Sequence, residues 1–228
     1  MATAICISMP QNADRLTLMQ YLSPAFPVGS YAYSQGLEQA ITDRNVTDPA
    51  SLNGWITAVL THGSARMDAI LLAHGRGGPV LTDCDPLSDT SLSDLAYAYA
   101  ASAERHTEMR EQGAAFGQII ATVTGVTPPV LPYALALAHA TRQLDLPTED
   151  VLALYLQSLA AQMISVAVRF VPLKAAEGQK LLTSLAPLLT TLALRYASEP
   201  LTALSSATLG ADLAQMRHET LDVRIYRS

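Results

Sequence analysis

One stretch constrains this chain more than any other. Val151–Val168 reads VLALYLQSLAAQMISVAV, eighteen residues without a charge. Its length approaches that of a membrane span, but Gln157, Ser158, Gln162 and Ser165 interrupt it. At 100° per residue, Leu152, Leu156, Leu159, Ala160, Met163, Val166, Ala167 and Phe170 share one face, and Leu154, Ala161 and Val168 lie opposite. A helix apolar on both sides must be covered on both sides. The segment 149–170 is therefore expected to be the central helix of a soluble bundle, with no membrane span.

The punctuation around it marks further helices. Leu16–Leu22 is a short apolar turn stopped by SPAFP, and Gly29-Ser30 opens a helix through about Thr42. Asp48 before Pro49 is a helix start, and an apolar stripe from Leu52 through Gly63 to Leu71 predicts one helix to about Ala73. Further helices are expected from Leu92 to Ala101, from Ser102 to Val123, over Tyr133–Leu144, over Lys174–Arg195 with a kink or break at Pro187, and over Leu201–Met216. Ala and Leu alone supply 70 of 228 residues, which suits this reading. The fold class is all-α: one helical domain over 1–216, with an extended tail at 217–228.

Much chemistry is excluded. A net charge of −6 argues against nucleic acid as a partner. Cys6 and Cys84 form no CxxC, and the N-terminus carries no basic region before its apolar run, so a reducing cytoplasm is expected. P-loop, HExxH, GxSxG and dinucleotide motifs are absent. The five histidines (62, 74, 106, 139, 218) include no i, i+4 pair. An enzyme is not expected, nor a cofactor, a resident metal site or GTP binding by this chain alone.

Two segments concentrate unusual residues. In SPAFPVGSYAYSQGLE, 23–38, a continuous helix would set Tyr31, Ser34, Gln35, Glu38 and Thr42 as a polar stripe opposite Tyr33, Gly36, Leu37, Ala40 and Ile41. In MRHETLDVRIYRS, 216–228, the density of Arg, His, Glu and Tyr makes self-burial costly, because each charge needs a partner. The period-two alternation sends Leu221, Val223 and Ile225 one way and Asp222, Arg224 and Tyr226 the other. This end is expected to be a partner-binding element outside the core.

These two segments, with AVRFVPLKAAEGQKLL at 167–182 and, more loosely, SAERHTEMREQGAAF at 102–116, resemble the UreF family of urease accessory proteins. At 174–177 the chain reads KAAE, where the family tends to have glycine first and a polar, acidic run. The resemblance implies an all-α, dimeric, non-enzymatic scaffold. Such proteins bind UreD (also called UreH), recruit the GTPase UreG and dock on apo-urease, so that nickel reaches a lysine-carbamylated active site. Carried over, the partner-binding positions are Arg217, His218, Glu219, Thr220, Arg224, Tyr226, Arg227 and Ser228, in a tail the family orders when UreD binds. Tyr31, Ser34, Gln35 and Glu38 are expected to line the assembled surface. Pro24, Pro27, Gly29, Gly36, Arg169, Pro172, Gly178 and Gln179 are expected to be structural, the last four with a share in UreG contact. The competing reading is a nickel-handling protein that passes metal through His62, His218 and nearby carboxylates.

Overall fold

A computed structural model describes residues 9–78, 88–171 and 173–228; Cys6, Cys84 and Pro172 lie outside the described residues. Among those described, the elements are helical: α1 (Met9–Tyr21), α2 (Leu37–Thr42), α3 (Pro49–His62), α4 (Ser64–Gly75), α5 (Asp89–Ala98), α6 (Ala103–Thr124), α7 (Tyr133–Thr141), α8 (Thr148–Phe170), α9 (Ala175–Tyr196) and α10 (Leu209–His218). Short 3₁₀ turns occupy Ser30–Ala32 and Leu201–Ala203.

The centre is α8, as its composition predicts. It packs along α9 and against α2, α3 and α4, burying Leu152, Leu156, Leu159, Ala160, Met163, Val166 and Ala167. Phe170 is half-buried. Each of the larger buried side chains contributes about 1.5–3 kcal/mol relative to exposure. Among the described residues it is the one helix long and apolar enough to cross a membrane, and 56% of its apolar window is buried inside the protein. Its far side differs from expectation: Leu154 is exposed and Ala161 half-exposed, because they border an open groove.

Three predicted helices are broken, each for a local reason. The 49–73 helix splits at Gly63, which is extended (φ −112°, ψ −153°). A Cβ there would lie 2.7 Å from the Thr208 hydroxyl, and the Ala207 amide donates to the His62 carbonyl at 2.8 Å. The chain beyond α9 thus wedges the split open and lets α4 plunge through the core. In 201–216, Arg66 donates to the Ala203 carbonyl at 2.7 Å and Ser206 to the Asp212 carboxylate at 2.7 Å, so helix resumes only at Leu209. The third break, in 30–42, shapes the site below. Pro187, by contrast, neither breaks nor ends α9. It sits on the solvent side while Leu185, Leu189 and Leu192 stay buried around it.

Two caps follow the sequence, whereas Thr208, which precedes α10, makes no side-chain cap. Asp48 accepts from the Ser51 amide at 2.8 Å, and Ser102 from the Arg105 amide at 3.0 Å.

Candidate functional site

The site begins where the 30–42 helix fails. After the 3₁₀ turn the backbone becomes left-handed at Gln35 (φ 56°) and Gly36 (φ 79°), and α2 starts only at Leu37. A side chain at Gly36 would press on α10, its Cβ only 2.8 Å from the Gln215 amide nitrogen, so glycine lets the two helices cross here. This turn corrects the expected polar stripe. Ser34, Gln35 and Glu38 face inward and are buried, whereas Tyr31 is 74% exposed.

The C-terminal segment returns onto that turn. His218, the last residue of α10, is fully buried. Its Nε2 lies 2.9 Å from a Glu38 carboxylate oxygen and its Nδ1 2.8 Å from one of Glu104. Both ring nitrogens thus lie within hydrogen-bond distance of carboxylate oxygens from two different helices. Glu38 also accepts from the Ile225 and Tyr226 amides at 2.9 and 3.0 Å. The Ser34 hydroxyl and amide donate to the Ser228 main-chain oxygen, and the Arg227 amide donates to the Ala32 carbonyl at 2.7 Å. Arg224 pairs with Glu104 at 2.8 Å, Arg227 with Glu111 at 2.7 Å, and Arg217 with Asp43 at 3.6 Å. Glu219 accepts from the Ala103 amide at 2.8 Å, and so completes the first turn of α6.

A second polar layer lies beneath. Gln35 and Gln112 both donate to Glu108 at 3.0 Å, and Arg105 bridges Glu108 and Asp68. Tyr155 donates to Asp68 at 3.0 Å. Burial by itself would lower the Arg105 pKa; Asp68 and Glu108 reverse that and hold it raised. The Tyr155 hydroxyl is raised, by burial first and then by Asp68. At the rim the Tyr33 hydroxyl donates to Glu111 at 2.6 Å. Burial chiefly, then Glu111, pushes the Tyr33 pKa up, while the same hydrogen bond and Arg227 hold Glu111 below the usual carboxylate range.

The segments joined here are those that carry the resemblance, and comparison with known proteins agrees. The family model for UreF matches residues 46–186. A Cereibacter sphaeroides protein called urease accessory protein UreF is 50% identical over 217 residues, covering 95% of this chain and 100% of its own length. Proteins of the same name from Paracoccus denitrificans and Dinoroseobacter shibae are 44% and 43% identical, each over 95% of this chain and 97% and 99% of their own.

The chain belongs to the UreF family.

In this UreF-family protein the structure gathers most, not all, of the residues singled out from sequence. Ser34, Gln35, Glu38, His218, Arg224, Tyr226, Arg227 and Ser228 meet in one clasp. Tyr226 is buried against Phe170, ring centroids 5.7 Å apart, and its hydroxyl lies 3.4 Å from Arg169. The tail therefore does not stand outside the core as expected. Its charges find partners on α2 and α6, which removes the cost that argued for a free end. Val223 and Ile225 do point outward, at 79% and 68% exposure. Thr220 is exposed, and its hydroxyl donates to the Arg217 carbonyl of its own turn at 3.1 Å. Pro24 and Pro27 are exposed, and Gly29 (φ 74°) opens the 3₁₀ turn. Gly178 lets α9 approach Ile164, where a Cβ would come within 2.8 Å, and Gln179 faces solvent. His62 ends α3 and takes no part in the clasp. Among the described residues no group of three or more His, Cys, Asp or Glu is disposed to hold a metal ion.

Sequence reasoning missed the acidic half. Glu104, Glu108 and Glu111 recur at i, i+4 and i+7 on α6, a spacing that places them on one face. That stripe was the available signal.

Proposed function

We propose that this protein is a urease accessory protein that works as a non-catalytic scaffold in the cytoplasm. In this reading a homodimer binds UreD, recruits the GTPase UreG and presents both to apo-urease. Nickel is cargo, inserted into the carbamylated active site while UreG hydrolyses GTP. The observation that carries the reading is the two-sided tail. Its polar groups are spent on the clasp, which holds the backbone in place, while Val223 and Ile225 are left exposed beside Arg224 and Arg227. Exposed apolar side chains flanked by arginines on a pre-ordered segment have the composition of an interface.

The test leaves the clasp intact. A Val223→Glu/Ile225→Glu double variant alters only outward side chains, so its melting midpoint is expected within about 2 °C of wild type. Co-purification with UreD and activation of urease in cells are expected to be lost. A folded variant that still assembles with UreD at wild-type yield would overturn the reading.

A further inference from the structure

The four polar residues that interrupt α8 line one groove, in which Ser158 donates back to the Tyr155 carbonyl at 2.8 Å and Gln162 to the Ser30 and Tyr33 carbonyls at 2.7 and 3.1 Å. Gln157, Ser158, Gln162 and Ser165 all face a groove of about 480 Å³ between α8, the end of α1 and the 22–31 loop. Met19, Leu22, Val28, Leu154 and Val166 contribute its apolar walls. The volume lies within the range of small ligand sites, but the shape is a trough that follows the helix. From Gln157 to Arg169 the floor runs twelve residues of helix, about 18 Å at 1.5 Å per residue.

Its chemistry is unusual for a protein with a net charge of −6. Arg169, at one end, is the single charged residue in the described lining. Among the described residues it forms no ion pair, and its partner is the Tyr226 hydroxyl at 3.4 Å. Two arginines of the neighbouring tail are matched: Arg224 by Glu104 and Arg227 by Glu111. The side chains of Gln157 and Ser165 are exposed and likewise have no hydrogen-bond partner among the described residues. The rim adds Met19 at 61% and Tyr31 at 74% exposure.

We propose that this groove seats an extended segment of a partner protein, with apolar side chains against the walls and an acidic side chain on Arg169. The length fits about five or six residues at roughly 3.3 Å each. The free amide and hydroxyl of Gln157 and Ser165 supply donors and acceptors for its main chain. One cation on a mostly apolar surface suits neither a nucleic-acid backbone nor an anionic bilayer, both of which need several. The proposal rests on the scaffold reading, since it needs a protein partner, but it is tested apart from it.

The probe is an amidated hexapeptide that alternates leucine with serine, ends in glutamate and carries fluorescein on its N-terminal amine, titrated onto the full-length protein by anisotropy. Saturable binding is expected. Arg169→Ala on the protein, or glutamine for glutamate on the peptide, is expected to weaken it about tenfold, the scale of a lost charge-assisted hydrogen bond. The two changes together should cost no more than either alone. Ala161→Trp, which fills the trough, is expected to abolish binding; Leu154→Trp replaces it if the first variant melts early. Absence of saturation up to about 1 mM, an affinity at the weak end of specific association, would overturn the proposal. So would binding indifferent to Arg169 and to the tryptophan. Dodecanoate serves as the small-molecule arm: if it occupies the groove and the peptide does not, the groove takes free apolar anions and the proposal fails. Co-purification with UreD is scored separately, so loss of the groove assignment leaves the scaffold reading standing.

Discussion

The inner face of α8 and the surroundings of His218 are both buried, and the burial is achieved by opposite means. Around α8 the buried side chains, Tyr155 apart, are aliphatic or methionine, and any one of these could be exchanged for another of similar size at modest cost. Around His218 the groups belong to a histidine, three glutamates, two glutamines and main-chain amides, joined by hydrogen bonds. Apolar burial scales with area and accepts many arrangements. A buried polar network accepts one, because an unpaired member costs more than the paired one gains. The helical body thus supplies stability, and the clasp supplies position: it fixes where residues 219–228 lie and which side chains they leave outside.

The contrast is sharpest in a truncation at the centre. Leu156→Ala removes a fully buried side chain from the helix that packs on α2, α3, α4 and α9. The expected loss is about 2–5 kcal/mol, which lowers the melting midpoint by roughly 5–15 °C for a domain of this size. Circular dichroism at 222 nm reads it, as one cooperative transition shifted whole. A second, early transition confined to part of the signal would mean that α8 does not unite the body.

Glu38→Gln is the corresponding blow to the clasp, and its effect is expected to be smaller and local. The substitution keeps the shape and removes the charge that faces His218 and receives the Ile225 and Tyr226 amides. A weakened charge-assisted network of this kind costs about 1–3 kcal/mol. Native-state hydrogen exchange should show amides of 219–228 losing protection by about ten- to a hundredfold while those of α8 keep theirs. If α8 loses protection by the same factor, clasp and body are one cooperative unit, and the division between them is false.

The same division explains what could be read from sequence. The helices of the body are local facts. The α8 face from Leu152 to Ala167, the Asp48 and Ser102 caps and the all-α class follow from spacing within one turn or two. The breaks at Gly63 and at Gln35-Gly36 are not local. Each is set by α10 or the stretch preceding it, through Thr208 and Gln215, more than 140 positions away in the chain. The clasp is more distant still, joining Ser34 to Ser228 across 194 positions and Ala103 to Glu219 across 116. Periodicity carries no information on such pairings. What reached across was the kinship of whole motifs, which marked Ser34, Glu38, His218 and Arg227 without saying that they touch. It also left Glu104, Glu108 and Glu111 unmarked, although their i, i+4, i+7 spacing was in plain view.

The rim of the clasp offers the smallest effect and the finest test of whether charge or packing holds the tail. Glu111 takes the Tyr33 hydroxyl at 2.6 Å and the Arg227 guanidinium at 2.7 Å, and the guanidinium also lies 5.6 Å from the centre of the Tyr33 ring. The hydroxyl chiefly holds the carboxyl below its ordinary pKa; burial opposes it, and Arg227 adds to the lowering. A carboxyl whose pKa is lower folded than unfolded stabilises the fold above the ordinary glutamate range, and that contribution disappears as the pH falls through the folded value. Glu111 is 35% exposed and Arg227 59%, so solvent screening limits the contribution to at most about 1 kcal/mol. Acidification from about pH 6 towards about pH 3 should therefore loosen residues 224–228, read by chemical-shift titration of the Ile225 methyls. In Glu111→Gln the tail should already be looser at the upper end of that range, and the part of the titration due to this site should vanish; about 1 M salt should shrink the wild-type response. If Glu111→Gln follows the wild-type curve at every pH, the rim ion pair adds nothing, and the tail is held by Tyr226 and the remaining clasp contacts of Glu38, Ser34, Ala32 and Glu104.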